Sequence, residues 1–125
     1  MVDMSATLIH HGHVRLLKKA SESGEVIVAL TSDESILEYK GYTPELNFSH
    51  RKEVLESIKF VKKVVKSPWI ITEDFLNLHK ADYLVHGSDN KNPIAKERLI
   101  LFPRTEGISS EIIRGKVVLI KVGET

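Results

Sequence analysis

The sequence predicts an α/β fold, a three-layer sandwich in which a parallel sheet of about five strands carries helices on both faces. Three observations lead there. Strand-like and helix-like stretches alternate along the whole chain. The run "EVIVAL", Glu25 to Leu30, is continuously apolar and β-branched, as a strand buried on both faces is. The polar segments rich in His, Asp, Ser and Arg all follow strands, where open parallel sheets bind ligands.

Taken in order, Val2 to Ser5 forms a short first strand. From His13, the apolar residues Val14, Leu16, Leu17 and Ala20 alternate with Arg15, Lys18 and Lys19 at helical spacing, and Gly24 stops that helix. After the strand at Glu25 to Leu30, "TSDESILEYKGYTPELN" is polar and broken by Gly41 and Pro44. It reads as a loop with one helical turn at Glu34 to Tyr39. Ser49 is the expected cap of "HRKEVLESIKFV", where Val54, Leu55, Ile58 and Val61 form one stripe. "KKVV" is a strand ended by Pro68, and Thr72 caps a helix through His79. "DYLVHG" and "RLILFP" are further strands, and "EGISSEIIRG" turns at a glycine into a short helix. Trp69 and Phe75 read as core, and His86 as structural.

Composition narrows the function. The chain has 125 residues, enough for one domain with a buried core. Its 18 basic and 17 acidic side chains leave a net charge of +1, so a nucleic-acid partner bound through a basic face is not expected. There is no cysteine, which excludes disulfides and thiolate metal sites. No apolar stretch approaches the roughly 20 residues of a membrane span. The start "MVDMSATL" lacks a basic region followed by an apolar run, so the expectation is a cytoplasmic protein without a secretory leader.

The most informative stretch is "HHGH", His10 to His13, at the mouth of the first helix. Three readings compete. A zinc site needs three protein ligands, and only His10 and His13 share a face. A solvated polar turn is the bland alternative. A phosphate cradle explains more: Gly12 lets the backbone approach closely, a helix N-terminus favours negative charge, and imidazoles donate to phosphate oxygens.

His10-His11-Gly12-His13 resembles the HxGH signature of the nucleotidyltransferase superfamily. "RTEGIS", Arg104 to Ser109, is similar to the RTEGIST signature of its cytidylyltransferase branch, typified by glycerol-3-phosphate cytidylyltransferase. "HGSDN" at His86 to Asn90 resembles the branch's glycine-aspartate strand end, and "HRKEVLESIKFVKKVV" its helix-strand block. Modules of phosphonate and surface-polysaccharide pathways resemble the chain further, through "DMSATLIHHGH". The resemblance implies a Rossmann-like domain over residues 1–115, with 116–125 as a tail that forms an extra strand or a linker.

It also implies transfer of CMP from CTP to a small phosphorylated or phosphonate acceptor, with release of pyrophosphate and with Mg2+ as cofactor. His10, His13, Lys40 and Arg104 are the implied catalytic groups. Ser5, Ala6, Thr7, Gly12, Gly87, Asp89, Thr105, Gly107, Ile108 and Ser109, with Arg104, would line the nucleotide. Arg51 and Lys59 would meet the acceptor. A homodimer is implied, with Val117 to Val122 as a contact. Thr7 stands where the family usually has an aspartate. Two alternatives stay open: an adenylyltransferase of the same superfamily using ATP, and a nucleotide-binding module with weakened catalysis.

Overall fold

A computed structural model describes residues 1–103, 107–110, 112 and 113. The strands are β1 (Val2–Met4), β2 (Ile27–Thr31), β3 (Lys63–Ser67), β4 (Leu84–Gly87) and β5 (Leu99–Phe102). The helices are α1 (His11–Ser21), α2 (Asp33–Lys40), α3 (Phe48–Glu56) and α4 (Glu73–Leu78). The five strands form one sheet in the order β3-β2-β1-β4-β5, and every pairing is parallel. The predicted architecture is what is found.

Two apolar layers explain why the sheet is covered on both sides. Val2, Met4, Val28, Leu30, Val64 and Val85 pack with Leu17 and Ala20 of α1 and Leu55 of α3. The residues between them in β2 and β4, Ala29 and Leu84, join Ile71 and Leu76 on the opposite face under α4. By the same alternation Asp3 and His86 fall on the α4 face, side by side on β1 and β4, whose Val2 and Val85 are in register.

Chain order places the ligand cleft. The chain runs outward from β1 to β2 and β3, then returns to the other side of β1 for β4 and β5. β1 and β4 therefore flank the point where strand order reverses, and their carboxyl ends diverge into a crevice.

Local structure departs from the sequence reading in instructive ways. The segment read as one turn is the eight-residue helix α2. Ser32 Oγ accepts from Ser35 N at its start, and Gly41 closes it in the left-handed region at φ 79°. The glycine taken for a break is the helix's C-terminal stop. α3 is capped by Asn47 rather than Ser49, with Asn47 Oδ1 accepting from His50 N at 2.9 Å. Val54, assigned to the buried stripe, is 42% exposed.

The largest fully buried side chain is Arg51. Its Nη1 donates to Ser5 O at 2.6 Å and Thr31 O at 2.9 Å, so one nitrogen bridges the carboxyl ends of β1 and β2. Nε donates to Leu46 O at 2.9 Å, and Nη2 to Asp33 Oδ1 at 2.6 Å. Asp33 Oδ2 in turn accepts from Phe48 N, tying the start of α2 to the start of α3. The acceptor contact expected of Arg51 is thus corrected: its donors serve the frame, and it is absent from the cleft wall.

Arg51→Met should destabilise the protein by about 3–5 kcal/mol, because it strands a carboxylate and three carbonyls. Arg51→Lys should recover only part of that, since an ammonium cannot reproduce the guanidinium fork. Urea unfolding measures both. A loss below about 1 kcal/mol for Arg51→Met would contradict this role.

Candidate active site

A cleft of about 740 Å³ opens at the carboxyl ends of β1 and β4. Of the residues singled out in the sequence, it is lined by Ser5, Ala6, Thr7, His10, Gly12, His13, Lys40, Gly87, Asp89, Ile108 and Ser109. The cleft gathers segments up to a hundred residues apart in sequence.

The chain leaving β1 shapes one wall. Ala6 takes φ 46°, a costly left-handed conformation for a residue with a Cβ, and it does so between Ser5, whose carbonyl Arg51 holds, and the buried Thr7. Thr31 Oγ1 donates to Met4 O at 3.3 Å, adding a second tie between β1 and β2 at this lip. The turn then enters α1 with His10 as its N-cap.

His10 and His13 cap the helix reciprocally. His10 Nδ1 accepts from Gly12 N, and His13 Nδ1 accepts from His10 N, both at 3.1 Å. A ring nitrogen that accepts carries no hydrogen, so this network assigns the neutral tautomer with the proton on Nε2 in both rings. The ring centroids are 3.9 Å apart. Burial, followed by the neighbouring His10, pushes the His13 imidazole down from its ordinary 6.5 to about 4. His11 is exposed, its ring edge-on to His10 at 6.2 Å.

Gly12 is constrained by a contact the sequence did not reveal. A Cβ there would come within 2.8 Å of His10 Cε1 and 3.0 Å of His10 Nδ1. The space a side chain would fill is taken by the folded-back imidazole. The same Cβ would lie 3.4 Å from Ile108 Cγ2, so the late segment packs directly over the histidine turn.

That segment is fastened by Ser110. Its hydroxyl donates to Leu8 O at 2.9 Å and accepts from Leu8 N at 3.1 Å. Ser109 Oγ accepts from Ile112 N, starting a helical turn. Gly107 takes φ 75°, as a glycine turn requires, and is exposed away from the cleft lining. Arg104 and Thr105 lie outside the described residues, as does the tail with Val117 to Val122.

The opposite wall holds groups the sequence reading undervalued. His86 Nδ1 donates to Asp3 Oδ1 at 2.5 Å, and His86 Nε2 is 3.8 Å from Asp89 Oδ1. The structural role assigned to His86 is therefore accompanied by a place on the cleft wall. Trp69, read as core, is half-buried at the cleft mouth, stacked on Tyr39. Arg15, Lys19, Lys40 and Lys91 bring cationic side chains to the same rim. Lys59 is elsewhere. It borders Glu25, Val26 and Lys62 near the amino end of β2, remote from the cleft, which corrects the acceptor contact expected of it. Among the described residues no three His, Asp or Glu side chains converge on a metal position, and no helix is long and apolar enough to cross a membrane.

The His13 ring should titrate near pH 4 in the folded protein, read from its Cε1–H resonance. Its pKa is depressed relative to the unfolded chain, so the folded state resists protonation. Stability should hold above about pH 6.5 and fall as pH drops from there toward 4. A His13 midpoint near 6.5 would contradict the buried placement of the ring beside His10.

Comparisons with known proteins agree with this geometry. A family model described as cytidylyltransferase-like matches residues 5–116. The chain is 33% identical over 116 residues to glycerol-3-phosphate cytidylyltransferase of Bacillus subtilis, covering 88% of this chain and 89% of that protein. It is 32% identical to ethanolamine-phosphate cytidylyltransferase of Arabidopsis thaliana and 34% identical to choline-phosphate cytidylyltransferase A of Rattus norvegicus. Those alignments cover 90% and 89% of this chain but 30% and 34% of the relatives, so the chain spans about a third of their length. Among solved structures, the lipopolysaccharide core biosynthesis protein from Thermoplasma volcanium GSS1 superposes with a TM-score of 0.70 at 17% identity. That match covers 85% of this chain and 96% of the other, and it shows a shared fold.

Proposed function

The chain belongs to the cytidylyltransferase-like family, and from that premise we propose that it transfers CMP from CTP to a small phosphorylated or phosphonate acceptor. An acceptor oxygen attacks the α-phosphorus, the bond to the β-phosphate bridging oxygen breaks, and pyrophosphate leaves with that oxygen. The attacking oxygen is already ionised, so the reaction needs neither a side-chain nucleophile nor a strong base. What it needs is alignment and stabilisation of phosphate charge.

One observation carries this reading: two neutral imidazoles, 3.9 Å apart in the cleft, whose Nδ1 atoms are both engaged by backbone amides. Such rings are fixed hydrogen-bond donors through Nε2, and they require no reorganisation as negative charge builds on phosphate oxygens. Lys40 and Arg104 add cationic charge to them. Ser5, Ala6, Thr7 and Gly12 form the wall against the triphosphate. Gly87, Asp89, Thr105, Ile108 and Ser109 serve the cytidine, with Gly107 turning the chain that carries Ile108 and Ser109 and Asp89 holding a ribose hydroxyl or the base edge.

Magnesium fits this cleft as an ion carried largely by the nucleotide. The oxygen donors present, the Asp3 and Asp89 carboxylates and the Thr7 hydroxyl, suit a hard cation that takes few protein ligands. When bound, it neutralises part of the triphosphate charge. Residues 1–115 form the catalytic unit in this proposal, which extends to a cytoplasmic location and a homodimer on the strength of the family.

Pyrophosphate release should appear with CTP and one member of a panel of glycerol 3-phosphate, phosphocholine, phosphoethanolamine and 2-aminoethylphosphonate, and not with ATP. His10→Ala and His13→Ala should each lower turnover about 10²- to 10³-fold, as removal of a donor to transition-state charge does. His11→Ala should be mild. Equal losses at all three histidines, or ATP used as well as CTP, would overturn the reading.

A further inference from the structure

Lys40 is the last residue of α2, exposed at the rim and lining the cleft. A lysine side chain has high rotamer entropy, and α2 buries little to steady it: Ile36 is its one buried residue, while Leu37 is 55% exposed. An eight-residue helix is marginal on its own, so its position depends on what fastens its ends. The amino end is fastened by the Ser32 cap and by Asp33, which reaches Arg51 and Phe48. At the carboxyl end, Tyr39 lies flat on Trp69, with ring centroids 4.9 Å apart and planes inclined by 11°. Trp69 belongs to the segment after β3 and lines the cleft, so this contact joins α2 to that segment. Tyr39 is nevertheless 56% exposed, which a residue kept for core packing would not be.

We propose that Tyr39 is a positioning residue: stacked on Trp69, it fixes the carboxyl end of α2 and thereby sets the Lys40 ammonium over the cleft. The inference rests on the cytidylyl-transfer reading, in which that ammonium meets the triphosphate. An offset aromatic stack is strong enough to change the population of an ordered helix end by about tenfold, and the expected effect on CTP binding is of that order.

The test uses the full chain with CTP alone, measured by calorimetric titration in the presence of magnesium. Tyr39→Ala should weaken CTP binding about tenfold, while Tyr39→Phe, which keeps the ring, should bind as the wild type does. In a Lys40→Met background, Tyr39→Ala should cause no further loss, because the group it positions is already gone. Trp69 is the chain's one tryptophan, so intrinsic fluorescence reports the stack directly: its emission should change in Tyr39→Ala and not in Tyr39→Phe. Thermal unfolding confirms that each variant is folded. If Tyr39→Ala loses as much affinity in the Lys40→Met background as in the wild type, Tyr39 acts independently of Lys40 and the positioning role is overturned. Full affinity in Tyr39→Ala, or unchanged Trp69 emission, overturns it equally. Failure of the wild type to bind CTP would instead refute the cytidylyl-transfer reading, and the positioning role with it.

Discussion

The buried guanidinium of Arg51 holds together the places where chain direction changes. It bonds the carbonyls that end β1 and β2, the carbonyl of Leu46 before α3, and the carboxylate at the start of α2. Each of these groups would otherwise need water at a point where the sheet opens into the cleft. A buried arginine is costly alone, and it is tolerated here because Asp33 and three carbonyls satisfy its donors. The strain at Ala6 and the left-handed stop at Gly41 lie on the two chain segments leaving this knot.

With that frame set, the histidine turn is determined by local chemistry. The two imidazoles take up amide donors that a helix start leaves without intrahelical partners, and in doing so they settle their own tautomers. Burial, and then the neighbouring His10, hold the His13 pKa low, and the neutral ring that results is the form in which Nδ1 can accept from the His10 amide. In both rings Nδ1 faces the backbone and the hydrogen stays on Nε2. Ser110 then brings the late segment onto the turn by gripping both backbone polar groups of Leu8.

How much of this was readable in the sequence varied with the range of the interaction. The alternation of "EVIVAL" with helical stripes is a local signal, and it led to the parallel sheet and to a site at the strand ends. "HHGH" was legible because its residues act within one helical turn. Errors began where a partner lay far along the chain. Arg51 looks like a solvated helix residue until Ser5 and Thr31 arrive beside it, and Asp3 meets His86 across 83 positions. Trp69 looked like core because size and apolarity predict burial, whereas Tyr39 draws it to the rim. The length of α2 is hidden in the sequence because a glycine can break a helix or end one, and Gly41 ends the helix that Ser32 caps.

In the proposed reaction the cleft promotes transfer by holding donors and reactants in place, with no side chain bonded to phosphorus. The stereochemistry at the α-phosphorus tests it most directly. With CTP made chiral at that position by oxygen isotopes, a single in-line displacement predicts inversion of configuration in the product. Retention would mean two displacements through a covalent nucleotidyl-enzyme, and would contradict the claim.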